Sequence, residues 1–149
     1  MVKTLRASVV VPSKGCEYLK HLLWGLREQV VKPYEIVLVL KDCNVRAVED
    51  LCRGYNLFCV IIQQLIGFVT HALNLGKKEA KGDIVIFTDE DAIPLPKWVK
   101  RYIRLHLMYR NVAGISSRDI YLDLESMNLN PTSDDKTMTK LYRLSLIHI

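Results

Sequence analysis

The chain has 149 residues, half of them hydrophobic and a quarter charged, with a formal net charge of +5. Such a length and composition describe one soluble globular domain with room for a real core. No apolar stretch approaches the ~18 residues needed to span a bilayer, and the aromatic residues do not interleave with the basic ones as nucleic-acid binding requires.

Met1 to Arg6 runs directly into the strand-like Ala7–Val11 without the layout of a signal peptide, so a cytoplasmic location is expected. Leu19, Leu22, Leu23, Leu26 and Val30 then fall on one helical face, and Lys32-Pro33 ends that helix. Glu35–Leu40 reads as a second buried strand, followed by a turn at Asp42-Cys43-Asn44 and a helix with Val45, Val48, Leu51, Cys52 and Tyr55 on one side. Leu57–Ile62 is a third strand. Gly67 opens a helical stretch through Ala72, Leu73, Gly76 and Ala80, stopped by Lys81-Gly82. Ile84–Phe87 is a fourth strand, and Trp98, Val99, Tyr102, Ile103 and Leu105 give the next helix its apolar face. Beyond Asn111 the pattern weakens. Val112–Ser116 and Ile120–Leu124 are the remaining strand candidates, and Asn128 to Thr139 is polar and turn-like. The chain ends on the apolar Leu144–Ile149, which reads as sequence without its packing partner and suggests a truncated domain.

Strand and helix alternating with short connections predict an α/β fold, a mostly parallel doubly wound, Rossmann-like sheet with helices on both faces. Cys16, Cys43, Cys52 and Cys59 show no CxxC spacing and are expected to be reduced, partly buried small hydrophobes. His21, His71, His106 and His148 have no metal-ligand spacing. The basic residues at Lys77-Lys78, Lys97, Lys100-Arg101 and Arg104 read either as a solvated helix face or as a patch that attracts diphosphates or an anionic membrane surface.

Where the fourth strand stops, Thr88 is followed by Asp89-Glu90-Asp91. A parallel strand delivers its last residues to the carboxyl edge of the sheet, where ligands bind in open α/β folds. Three adjacent carboxylates repel one another unless they are solvated or neutralised, and hard oxygen donors suit Mg²⁺ or Mn²⁺. The plainer reading is an acidic loop ahead of the helix that begins near Pro96 or Lys97.

The order Val9-Val10-Val11-Pro12-Ser13, Leu26-Arg27-Glu28-Gln29, Pro33–Val39, Gly67 to Asn74, Ala80–Ile84 and Phe87–Asp91 resembles the donor-binding half of a family-2 glycosyltransferase of the A-type fold. The resemblance implies that residues 7–110 bind a nucleotide sugar and that 111–149 begin an incomplete acceptor half. It implies that Pro12 and Ser13 touch the nucleoside and that Gly67 lies at a close approach to the donor. Asp89 and Asp91 match the DxD carboxylates that hold a Mn²⁺ or Mg²⁺ ion on the diphosphate, with Asp91 the direct ligand and Asp89 reaching ribose or a metal-bound water. Asn74 and Gly82 also match, as packing and capping positions. The acidic pair expected after the second strand is Leu40-Lys41 here, with Asp42 one step later. That makes Asp42 the candidate donor-site residue at this position, after a small shift, puts a uridine donor in doubt and leaves guanosine and lipid-phosphate donors open.

The family's acidic base lies farther along than this chain extends. Asp119, Asp123, Glu125, Asp134 and Asp135 sit in no family motif, and no catalytic residue is assigned. The expected activity is inverting, metal-dependent hexosyl transfer to a glycan or lipid acceptor, with peripheral membrane contact at the cytoplasmic face and weak turnover by this chain alone. The alternatives are a nucleotidyltransferase, for which Ser13-Lys14-Gly15 is a thin phosphate loop, and a non-catalytic nucleotide-binding module of the same fold.

Overall fold

The computed structural model describes residues 4–109, 111–123, 128–130 and 144–148. Its first sheet contains β1 (Ala7–Lys14), β2 (Glu35–Lys41), β3 (Cys59–Gln63) and β4 (Ile84–Phe87), all parallel, in the order β3-β2-β1-β4. Helices α1 (Leu19–Arg27), α2 (Val45–Gly54) and α3 (Val69–Glu79) make the crossovers, as the periodicity predicts. The chain winds outward from β1 to β3 and then returns past β1 to β4 on its other side. The order therefore reverses between β1 and β4, and the crevice at the carboxyl ends of such a switch point is the usual ligand site of open α/β sheets.

β1 and β2 are covered on both faces, which is why they read as unbroken apolar runs. Val9, Val11, Ile36, Leu38 and Leu40 share one core with Leu19, Leu22, Leu23 and Leu26 of α1 and Val48 and Cys52 of α2. Val10 and Val39 face the other way, toward α3. There Gly76 comes so close that an added Cβ would lie 2.3 Å from Val10 Cγ1.

The amino-terminal end of this sheet is sealed by a buried polar network. Glu35 Oε1 accepts from the Ser8 hydroxyl at 2.6 Å and from the Lys81 N–H at 2.5 Å, and Ser8 Oγ accepts from the Gly82 N–H at 2.8 Å. A Cβ at Gly82 would stand 2.6 Å from Ser8 Oγ, so glycine is what lets the chain enter β4 here.

Helix α4 (Trp98–Met108) has no side-chain cap of its own. Gln29, buried after α1, supplies one. Its Oε1 accepts from the Val99 N–H at 3.0 Å while its Nε2 donates to the Pro94 and Leu95 carbonyls at 3.2 and 2.8 Å. The second sheet contains β5 (Ala92–Pro94), β6 (Arg118–Asp123), β7 (Asn128–Asn130) and β8 (Leu144–His148), in the order β5-β8-β6-β7.

Three expectations are corrected in this region. Leu144–His148 does not lack a partner, since β8 pairs with β5 in parallel and with β6 in antiparallel fashion. Val112–Ser116 is irregular, because the exposed run from Asn111 to Gly114 has no face to bury. Asn128–Asn130, expected as turn, pairs with Tyr121–Asp123, while residues 131–139 lie outside the described residues. Among the described residues no helix is long and apolar enough to cross a membrane.

The cysteine expectation is half corrected. Cys16 and Cys43 form a disulfide with Cα atoms 5.7 Å apart, whereas Cys52 and Cys59 are free. The pairing follows from the β1–β2 register, which sets Lys14 beside Lys41 and brings the two following turns together. Spacing along the chain does not reveal it.

Candidate functional site

The carboxyl ends of β1, β2 and β4 open onto a cavity of about 740 Å³. One wall is the end of β1, Pro12 to Lys14, and a second is Asp89-Glu90-Asp91 after β4. The remaining wall is Lys41 with Gln64 and the Gly67–Val69 segment that leads into α3.

Pro12 is tolerated inside a central strand for a local reason. The Val10 carbonyl accepts from the Thr88 N–H at 3.2 Å, so alternate residues of β1 aim their backbone at β4. Pro12 aims the same way but lies past the end of β4, so its missing N–H costs no ladder bond. Ser13 is 5% exposed, and its hydroxyl donates to Glu90 Oε2 across the crevice. Burial raises the Glu90 carboxyl above its ordinary value, and hydrogen bonds from the Ser13 hydroxyl and the Lys14 backbone pull it back.

Gly67 adopts φ +100°, a left-handed conformation that a side chain strains. Its carbonyl accepts from Lys41 Nζ at 2.9 Å, and Gln64 Nε2 donates to the Ile66 and Phe68 carbonyls at 3.0 and 3.2 Å. Two side chains thus pin three successive carbonyls and fix the shape of the loop, leaving Phe68 87% exposed at the rim.

Of the residues singled out from sequence, Pro12, Ser13, Gly67, Asp89 and Asp91 line this one cavity. Asp42 does not. It turns the chain out of β2 at φ 55° and lines a neighbouring cavity of about 300 Å³ with Cys43, Gln63, Gln64 and Leu65. Asn74, expected as a packing position, is exposed on α3. Asp119 and Asp123 fall on β6, and Glu125, Asp134 and Asp135 lie outside the described residues.

Sequence reasoning missed Tyr18, Lys41, Gln64, Phe68 and Glu90 as cavity residues. Lys41 was within reach, because it ends a strand beside the one that carries Ser13. Glu90 was hidden by its neighbours, since a run of three acids does not say which one turns back toward β1.

Among the described residues no three or more His, Cys, Asp or Glu side chains form a group able to hold a metal. The donor set still fits Mg²⁺ or Mn²⁺. Asp89 and Asp91 present hard oxygens on one wall, and Mg²⁺ in particular is usually held by one or two carboxylates plus water and phosphate oxygens rather than by an all-protein cage.

An open parallel sheet with a cavity at its switch point places the protein in the doubly wound α/β class. The model of glycosyl transferase family 2 matches residues 8–144, and the chain belongs to that family. Solved structures agree on the fold. The crystal structure of S. aureus TarS is similar at TM-score 0.63 and 22% identity, over 93% of this chain and 28% of that one. S. aureus TarS 1-349 in complex with UDP-GlcNAc is similar at TM-score 0.63 and 18% identity, over 95% of this chain and 55% of that one. CMP:2-keto-3-deoxy-manno-octonic acid synthetase complexed with CTP is similar at TM-score 0.55 and 13% identity, over 97% and 71%. The chain thus spans 28% and 55% of the two TarS chains. A comparison with curated proteins gives no match.

Proposed function

We propose that the cavity binds a nucleotide-diphosphate sugar and that the chain is the donor-binding part of a glycosyltransferase acting on a hydroxyl of a glycan or lipid acceptor. The observation that carries this reading is the joining of the Pro12–Lys14 wall and the Asp89–Asp91 wall in one cavity at the switch point of a family 2 chain.

In this reading the exposed backbone and hydroxyl at the end of β1 hold the nucleoside, and the diphosphate extends toward the acidic wall. Direct displacement breaks the bond between the anomeric carbon and the diphosphate oxygen as the acceptor hydroxyl attacks from the opposite side. Negative charge then builds on the departing diphosphate. Asp89 and Asp91 would hold a divalent cation there, which supplies neutralisation of that charge. The Lys14 and Lys41 ammonium groups on the same cavity act in the same sense, and the fixed Gly67–Val69 loop keeps the donor from shifting.

Calorimetric titration of UDP, GDP and CDP, each with and without Mn²⁺, tests the reading. It predicts saturable binding of at least one nucleoside diphosphate, strengthened by the metal. No binding of any of the three under either condition would contradict it.

A further inference from the structure

We propose that Glu90 is a positioning residue, a clasp that holds the two walls of the cavity at a fixed separation. The inference rests on the donor-site reading above and adds a role for the middle acid of the triplet.

The pairing of β1 with β4 ends at Val10↔Phe87, and the last backbone bond between them runs from the Thr88 N–H to the Val10 carbonyl. Beyond that point the ladder stops, yet this is where the crevice must keep its width if a diphosphate is to reach both walls. The Glu90 carboxylate crosses the gap. It accepts from the Ser13 hydroxyl, 77 residues away in sequence. The donor comes from the β1 wall and the acceptor from the β4 wall, so the bridge continues the sheet with a side chain where the backbone no longer can.

The turn that carries the acids is itself closed, the Ala92 N–H donating to the Asp89 carbonyl at 3.2 Å. Fixing Glu90 therefore fixes Asp89 and Asp91 relative to Ser13. Hydrogen bonds to a charged acceptor are among the stronger ones in proteins, and a partly buried one contributes enough to hold a short turn.

Two readouts test the clasp on the full 149-residue chain. The first needs no ligand. Amide hydrogen exchange at Ala92, whose N–H closes the turn that Glu90 holds, should speed up about tenfold or more by NMR in Glu90→Ala relative to wild type, while amides in the centre of β2 keep their rates. The second is affinity for a nucleoside diphosphate with Mn²⁺. Glu90→Ala and Ser13→Ala should each weaken it about tenfold, and the double variant should be no weaker than either single one. Glu90→Gln, which retains an acceptor for Ser13, should recover part of the loss. Unchanged Ala92 exchange would overturn the clasp, as would affinity losses that add, which would mark two independent ligand contacts. Wild-type chain that binds no nucleoside diphosphate would overturn the donor-site reading instead, and the exchange arm would still decide the clasp.

Discussion

The two ends of the first sheet are built on opposite principles. At the amino-terminal end Ser8, Glu35 and Gly82 close a buried network, with the Glu35 side chain among the most enclosed in the chain. At the carboxyl end β1, β2 and β3 finish in the polar Lys14, Lys41 and Gln63, beside a loop with φ +100° at Gly67 and left-handed conformations at Gly15, Cys16 and Asp42. One end spends its polar groups on each other. The other leaves them facing a cavity. Stability and ligand recognition are thus separated along the strands of one sheet, so substitutions at the two ends should fail in different ways.

The largest effect is expected at the sealed end. Glu35→Ala leaves the Ser8 hydroxyl and the Lys81 N–H without their acceptor. At about 1–3 kcal/mol for each orphaned buried group, urea denaturation should show a loss of about 2–6 kcal/mol. A loss below ~1 kcal/mol would break the contrast.

The open end has one covalent tie. The Cys16–Cys43 disulfide closes a segment with a sequence separation of 27, for which the chain-entropy account gives about 3.5 kcal/mol. Urea unfolding with and without a dithiol reductant should differ by about that amount, and no difference would mean that the open end needs no tie. Gly67→Ala should cost less, about 1–2 kcal/mol, because it forces a side chain into a left-handed conformation at a loop already pinned by Lys41 and Gln64. The same melts measure it.

The first sheet was the more legible part of the chain. Buried parallel strands announce themselves as apolar runs, and the positions of Ser13 and Asp89 follow from strands that end on one edge. What stayed hidden depends on contacts between distant segments. The second sheet joins Ala92–Pro94 to Leu144–His148, two pieces separated by α4, β6 and β7, and three residues carry no periodicity to announce a strand. The Cys16–Cys43 pair depends on register, and Gln29 caps a helix 70 residues away. Asp42 shows the limit from the other side. Its acidity pointed to the donor site, but its left-handed turn takes it to the neighbouring cavity.

Asp91 lines the acidic wall of the cavity, and Asp91→Ala should remove the metal's contribution to binding. It therefore probes most directly the reading of the open end as a nucleotide-sugar site with a metal-supporting acidic wall. The measurement is calorimetric affinity for the nucleoside diphosphate that wild type prefers, with and without Mn²⁺, on wild type and Asp91→Ala. Mn²⁺ is expected to strengthen binding by wild type and to leave the affinity of Asp91→Ala unchanged. Equal strengthening in both proteins, or none in either, would contradict that reading.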